Sequence, residues 1–193
     1  RDIAMRFNIS PSAVSGILRS WIPTVASCLR AFLVWPESHV AKCNVPASFK
    51  AQFRNVISII DCFEVYTDRP YNLTARAQTW SNFKHNNTAK YLISVTPFGS
   101  ISFISEGWGG RVSDKQITVE SGYLEKLHHG DEIMADRGFL IRDECAARGV
   151  TVHLPPFTKG KKQLSAKEVI NSRKLAAVRI HVERVIGKMR KFQ

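Results

Sequence analysis

Apolar and polar positions change period twice along this chain, and each change marks a different kind of structure. In residues 1–22 the period is helical. Ile3, Ala4 and Phe7 make a short apolar stripe, 8–10 interrupt it, and Ser10-Pro11 opens a second helix in which Val14, Ile17, Leu18 and Trp21 recur at steps of three or four. Ser is a favourable N-cap, and Pro fits the first helical turn because its missing N–H has no partner there anyway. This spacing predicts burial of the apolar stripe and leaves Ser12, Ser15 and Arg19 on the outer face. Small polar and basic residues in that position suit a recognition helix in a DNA groove, and they suit an ordinary helical hairpin as well. Pro23 is expected to start a further helix through Phe32 and Leu33, and Trp35-Pro36, Asn44 and Pro46 mark a connector.

From Val56 the period shortens. The run Val-Ile-Ser-Ile-Ile-Asp-Cys-Phe-Glu-Val at 56–65 is apolar enough for a strand buried on both faces. Two more strands, 90–96 and 100–105, flank the turn Pro97-Phe98-Gly99, so the three runs predict an antiparallel meander. Helix and strand then alternate: a helix over 115–127, a short strand over 132–136, a helix over 140–148, a strand over 150–154 and a basic loop over 155–162. A long helix from about Ser165 follows, where Ser165 and Glu168 have the spacing of a capping box. The expected fold class is α/β: a mixed sheet of three antiparallel strands followed by βα units, with flanking helices and a small helical segment in front. The expected organisation is a helical segment over 1–35, a connector over 36–55 and the main domain over 56–193.

Composition narrows the classes. The length of 193 residues suits one main domain with an appendage, and 44% apolar with 23% charged residues is the usual balance of a globular chain. No apolar run approaches the roughly 18 residues of a membrane span, so no membrane partner is expected. The opening Arg-Asp-Ile-Ala-Met has no initiator Met and no signal pattern, and reads as part of a longer protein. Cys28, Cys43, Cys62 and Cys145 are too widely spaced for a zinc or redox motif. Net charge is +12, and residues 157–193 carry eleven Lys or Arg against Glu168 and Glu183, a surplus of +9. Such a surplus draws polyanions, because each phosphate neutralised releases counterions whatever the base sequence. A solvated basic face is the plainer account of the same numbers.

Three acids stand out. Asp61 sits among Ile57, Ile59, Ile60 and Phe63, where an unpaired carboxylate is costly and has to be protonated, paired or bound to a cation. Asp136 ends the run Ile133-Met134-Ala135, at the carboxyl end of a strand, where open α/β sheets place their sites. Glu183 borders the helical stripe Val178, Val182, Val185, Ile186 and Met189, and Arg179 four residues earlier offers it an ordinary surface ion pair. Each has a plain structural account: an Arg partner or a strand-end position for Asp61, a helix cap or loop for Asp136, the ion pair for Glu183. Together they mean more. Carboxylates about 4 Å apart repel by roughly 4 kcal/mol per pair at an effective dielectric near 20, so convergence calls for cations. Hard oxygen donors select Mg²⁺ or Mn²⁺, and two such ions roughly 3.5–4 Å apart activate a water or 3′-hydroxyl for in-line phosphodiester displacement.

The motifs that hold these acids are Ile-Ile-Asp-Cys-Phe-Glu, Gly-Trp-Gly-Gly-Arg-Val-Ser-Asp-Lys, Gly-Asp-Glu-Ile-Met-Ala-Asp-Arg-Gly-Phe and Arg-Ile-His-Val-Glu-Arg-Val-Ile-Gly. In combination they make the stretch 57–193 resemble the DDE superfamily endonuclease domain of eukaryotic transposases related to the Harbinger and bacterial IS4/IS5 groups. The resemblance implies a ribonuclease H-like fold with Asp61, Asp136 and Glu183 as catalytic metal ligands for two Mg²⁺ or Mn²⁺ ions. The 46 residues between Asp136 and Glu183 are similar to the spacing in that group. The bacterial relatives carry Tyr, Arg, Glu and Lys around the third acid; here those positions are Ala176, Arg179, Glu183 and Arg190, so Arg179 matches, Arg190 keeps the charge and Ala176 departs. Asp114 falls within a family motif and is an auxiliary candidate beside Arg179: it caps the helix, orients a ligand, or is the second acid in another alignment. Lys159, Lys161, Lys162, Arg184, Lys188 and Arg190 are candidate phosphate contacts, alongside Ser12, Ser15 and Arg19.

The opening residues resemble a truncated form of the helix-turn-helix that precedes this domain in such proteins. The resemblance implies cleavage of double-stranded DNA at element ends, joining to a target, and a nuclear location, while a homo-oligomer and an accessory DNA-binding protein stay open. The alternative is a domesticated, catalytically inactive relative that keeps the fold and binds DNA or protein. A helix-turn-helix regulator without enzymatic role leaves Asp61 unexplained.

Overall fold

The computed structural model describes residues 1–43, 45–50, 53–155, 166–189 and 191, which form two units, 1–34 and 35–193. In the first, α1 (Asp2–Phe7) closes at Asn8 in the left-handed conformation (φ 50°), and α2 (Pro11–Arg30) starts at Ser10, whose hydroxyl accepts from the Ala13 N–H at 3.1 Å. Two expectations are corrected here. Pro23 starts no new helix, because α2 continues through it to Arg30. Proline removes one ladder donor, and the hydroxyls of Ser20 and Thr24 bond the carbonyls of Ile17 (2.9 Å) and Ser20 (3.2 Å) around that weakened turn. Ile17, Leu18 and Trp21 are exposed and not buried, since the short α1 buries only its own Ala4.

The second unit begins with two short helices, α3 (Ser38–Cys43) and α4 (Ala47–Lys50), which lead into β1 (Val56–Tyr66). Next come α5 (Leu73–Thr79), β2 (Trp80–Ser81), β3 (Asn86–Val95), β4 (Ile101–Ile104) and β5 (Trp108–Gly109). After α6 (Asp114–Glu120) and a 3₁₀ turn (Leu124–Lys126) the chain alternates: β6 (Glu132–Met134), α7 (Arg142–Ala146), β7 (Thr151–His153) and α8 (Ala166–Met189). The sheet order is β2-β3-β1-β6-β7, with β4 and β5 also paired to β3. β1 is antiparallel to β3 and parallel to β6, and β6 is parallel to β7. This is the mixed sheet expected, and its order is compatible with a ribonuclease H-like fold.

β1 is central because both its faces are apolar. One face packs Ile57 and Ile60 with Leu92, Ile117, Tyr123, Ile133 and Ile141; the other packs Val56 and Ile59 with Ile93, Val95, Met134 and the α8 residues Leu175, Val178, Val182 and Ile186. Each such side chain taken from water contributes about 1.5–3 kcal/mol, so α8 is held to the sheet mainly by these four. Ser58, the polar exception in the buried half of β1, is satisfied by Tyr123 (2.7 Å) and Ser94 (2.8 Å), and Ser94 continues to Ser102 (2.7 Å).

The helix expected over 115–127 is broken. α6 stops at Glu120, Gly122 takes φ 79°, and Tyr123 turns into the core instead of continuing a helical stripe. The helix α5 and the small strands β2 and β5 were not expected. The capping box at Ser165 and Glu168 lies outside the residues whose side chains are described.

Candidate active site

β1 is fully buried from 56 to 60, and Asp61 is the first of its residues that is not. Strand alternation puts Asp61 on the face of Ile59 and Phe63, toward α8, while Ile60 and Cys62 face the opposite core. Asp136 reaches the same place from β6. Ile59 is the parallel partner of Met134, the last residue of β6, and two residues on from each, Asp61 in β1 and Asp136 in the loop after β6 both lie beside Arg179 of α8. They spend their oxygens alike: Asp61 Oδ1 accepts from the Cys62 N–H (2.9 Å) and Asp136 Oδ1 from the Arg137 N–H (2.7 Å). The Oδ2 atom of each makes no hydrogen bond to the described residues.

Arg179 comes down onto this pair from α8, on a helix turn fixed by the buried Val178 and Val182. Its Nη1 lies 3.2 Å from Asp136 Oδ1, the side chain is only 13% exposed, and its Nε is buried without a hydrogen-bond partner among the described residues. Burial raises the Asp61 carboxyl to about 6; Arg179 and the Cys62 N–H oppose that rise, and the charges of Asp136 and Asp114 add to it.

Asp114 stands on the other side of β1. Ser113, not Asp114, caps α6, accepting from the Gln116 N–H at 3.1 Å. Asp114 Oδ1 accepts from Lys90 Nζ (3.2 Å), and a side chain at Gly138, two residues past Asp136, would press on Asp114 Oδ2. Lys90 also donates to the Val112 carbonyl (2.8 Å) and pairs with Glu64 (3.7 Å), its register partner across β1 and β3; Thr88 donates to Glu64 at 2.9 Å. A cleft of about 300 Å³ opens beside this network, with Phe83 and Arg111 on its rim. Lys90, Glu64 and Cys62 escaped the sequence reading, although a Lys opposite a Glu on two buried strands is a recognisable sign once the pairing is known.

Sequence-chosen residues divide accordingly. Asp61, Asp136, Arg179 and Asp114 interact as one electrostatic group. Glu183, one turn beyond Arg179 on α8, is exposed, and Arg179 pairs with Asp136 rather than with it. Among the described residues no three His, Cys, Asp or Glu side chains are grouped to hold one ion. Arg184 and Lys188 are exposed on α8; in the first unit Ser12 and Arg19 are exposed and Ser15 half-buried. Lys159, Lys161, Lys162 and Arg190 lie outside the described residues.

The donor chemistry tests which cation would fit. On the α8 face Asp61 and Asp136 share one cationic partner among the described residues, Arg179, while across β1 Glu64 and Asp114 share Lys90, so one positive charge stands against two acids at the Asp61–Asp136 pair. Two free carboxylate oxygens with that deficit suit a hard divalent ion. The neighbouring Cys62 offers no thiolate, because burial, and then the charge of Asp114, push its thiol well above the usual range.

Residues 60–193 match the model of a family described as DDE superfamily endonuclease, which covers more than half of the chain and begins one residue before Asp61. No curated protein and no solved structure matches.

Proposed function

The chain belongs to the DDE superfamily endonuclease family, and from that premise we propose that it is a DNA transposase domain that cuts phosphodiester bonds and joins the freed 3′ ends to a target. The observation that carries the proposal is the approach of Asp61 and Asp136, two carboxylates with free Oδ2 atoms that share a single cationic partner, Arg179. A chain of net charge +12 that gathers two acids beside one arginine is suited to hold a divalent cation there and phosphate around it.

In this reading Asp61 and Asp136 would hold Mg²⁺ or Mn²⁺, and Glu183, exposed on the turn of α8 after Arg179 and not grouped with them in this structure, is the third acid that the family resemblance implies. Bound there, the metal would supply an activated water or 3′-hydroxyl and charge stabilisation for the leaving oxygen. The protein's own residues bind and orient. β1 and β6 lead into the two acids, Lys90 holds Asp114 close to Gly138 in the loop after Asp136, and the exposed Arg184 and Lys188 take backbone phosphates of double-stranded DNA. No side chain is needed as a nucleophile.

The test is cleavage. Asp61→Asn is expected to abolish Mg²⁺- or Mn²⁺-dependent nicking of DNA carrying the element's ends, by a factor of at least about 10³, while DNA affinity stays within about twofold. Equal nicking by the variant rejects the assignment. DNA binding by both proteins without nicking by either favours the inactive, DNA-binding relative.

A further inference from the structure

We infer that Arg179 is a resident counter-ion of the Asp61–Asp136 pair, competing with the divalent cation for the same carboxylates and leaving Asp136 when that cation binds. The inference rests on the reading of those two acids as cation ligands, and it goes further by assigning a role to the residue that now neutralises them.

Three observations support it. The ion pair is direct, with Nη1 3.2 Å from Asp136 Oδ1, the oxygen that also accepts from the Arg137 N–H. The guanidinium is enclosed, at 13% exposure for the side chain, so its charge acts on the half-buried Asp61 with little screening by water, while Asp136, at 50% exposure, keeps one side open to an incoming ion. Arg179 is also only partly engaged: its Nε is buried and unpartnered among the described residues, whereas Lys90 across the strand spreads its interactions over Val112, Asp114 and Glu64. An arginine placed purely as scaffold would satisfy its buried donors. A donor left open beside the acid pair marks a side chain with a second position to occupy.

A single positive charge compensates a site with two acids incompletely, and a divalent ion does so fully. Once that ion is on the acids, the guanidinium beside it is repelled and its ion pair to Asp136 breaks. The pair therefore keeps a partner without metal, and metal binding works against the energy of that partnership. By linkage, whatever removes Arg179 raises the affinity for the metal by the same factor by which the metal weakens the Arg179–Asp136 ion pair.

The experiment is a calorimetric titration of Mn²⁺ alone into the full chain and into Arg179→Gln, without DNA. The variant is expected to bind Mn²⁺ about tenfold more tightly, a typical size for coupling between sites. Unchanged or weaker binding by the variant, with the parent binding normally, overturns the inference and leaves the ligand assignment standing. Absence of Mn²⁺ binding in both proteins overturns the ligand assignment itself. Should Arg179→Gln fail to fold, the unsubstituted chain answers the question: the Nε–Hε NMR signal of Arg179, assigned by its loss in Arg179→Lys, is expected to shift with added Mg²⁺ at the half-saturation of the binding isotherm. A signal that stays fixed as Mg²⁺ saturates overturns the inference equally.

Discussion

Asp61 carries a cost in stability. Its carboxyl is raised from 3.8 to about 6, so in the folded chain it holds its proton more tightly than in the unfolded one. The sign follows. Stability from this group is fully present below about pH 4, is lost as pH rises to about 6, and is level above that. Asp61→Asn removes the slope, and in chelator the variant is expected to be roughly 1–3 kcal/mol more stable than the parent at pH 7.5 and equal to it near pH 3.5, by urea denaturation. An equal gain at both pH values would show that the effect is not ionisation. At this scale the sequence was informative where an acid broke an apolar run, as at Asp61 and Asp136. It was silent on Lys90 and Glu64, which meet only through the register of β1 and β3. It also offered Arg179 an ion pair with Glu183, whereas the fold turns Arg179 onto Asp136.

At the scale of elements, close approach and buried hydroxyls decide the shape around the site. Gly109 and Gly110 lie in β5 and just after it, where a Cβ would strike the Gln78 carbonyl in one case and the Thr88 hydroxyl and Thr79 carbonyl in the other. Gly110→Ala is therefore expected to cost about 2–3 kcal/mol by thermal or urea melts, and a change below about 0.5 kcal/mol would mean that α5 does not press on β5 as described. Tyr123→Phe removes one link of the hydroxyl chain and leaves Ser58 its bond to Ser94. A loss of about 1 kcal/mol is expected in the same assay. The meander and the βα order were legible because strand and helix periods differ. The break at Ser121-Gly122 was not, since an apolar Tyr123 at helical spacing looks the same whether the helix continues or turns inward. α5 and the two-residue strands β2 and β5 are too short for any period to show.

At the scale of the whole molecule the charge is divided: +12 overall, against two acids, Asp61 and Asp136, gathered beside one Arg179. DNA affinity is thus expected to depend steeply on salt, and Arg184→Glu with Lys188→Glu is expected to lower the slope of log K against log[salt] by about 2, one for each phosphate that these side chains neutralise. An unchanged slope would place the DNA elsewhere. The first unit shows how far periodicity reaches, because the stripe of Val14, Ile17, Leu18 and Trp21 is helical as its spacing predicts, while Val14 is only half-buried and the other three are exposed. Period reports the element; burial depends on what packs against it.

The central claim, that Asp61 and Asp136 together hold a divalent cation, is tested most directly by following Mn²⁺ binding with electron paramagnetic resonance in the parent, Asp61→Asn and Asp136→Asn. The account predicts that the parent takes up Mn²⁺ and that either substitution weakens uptake at least about tenfold. Equal uptake by all three would contradict it.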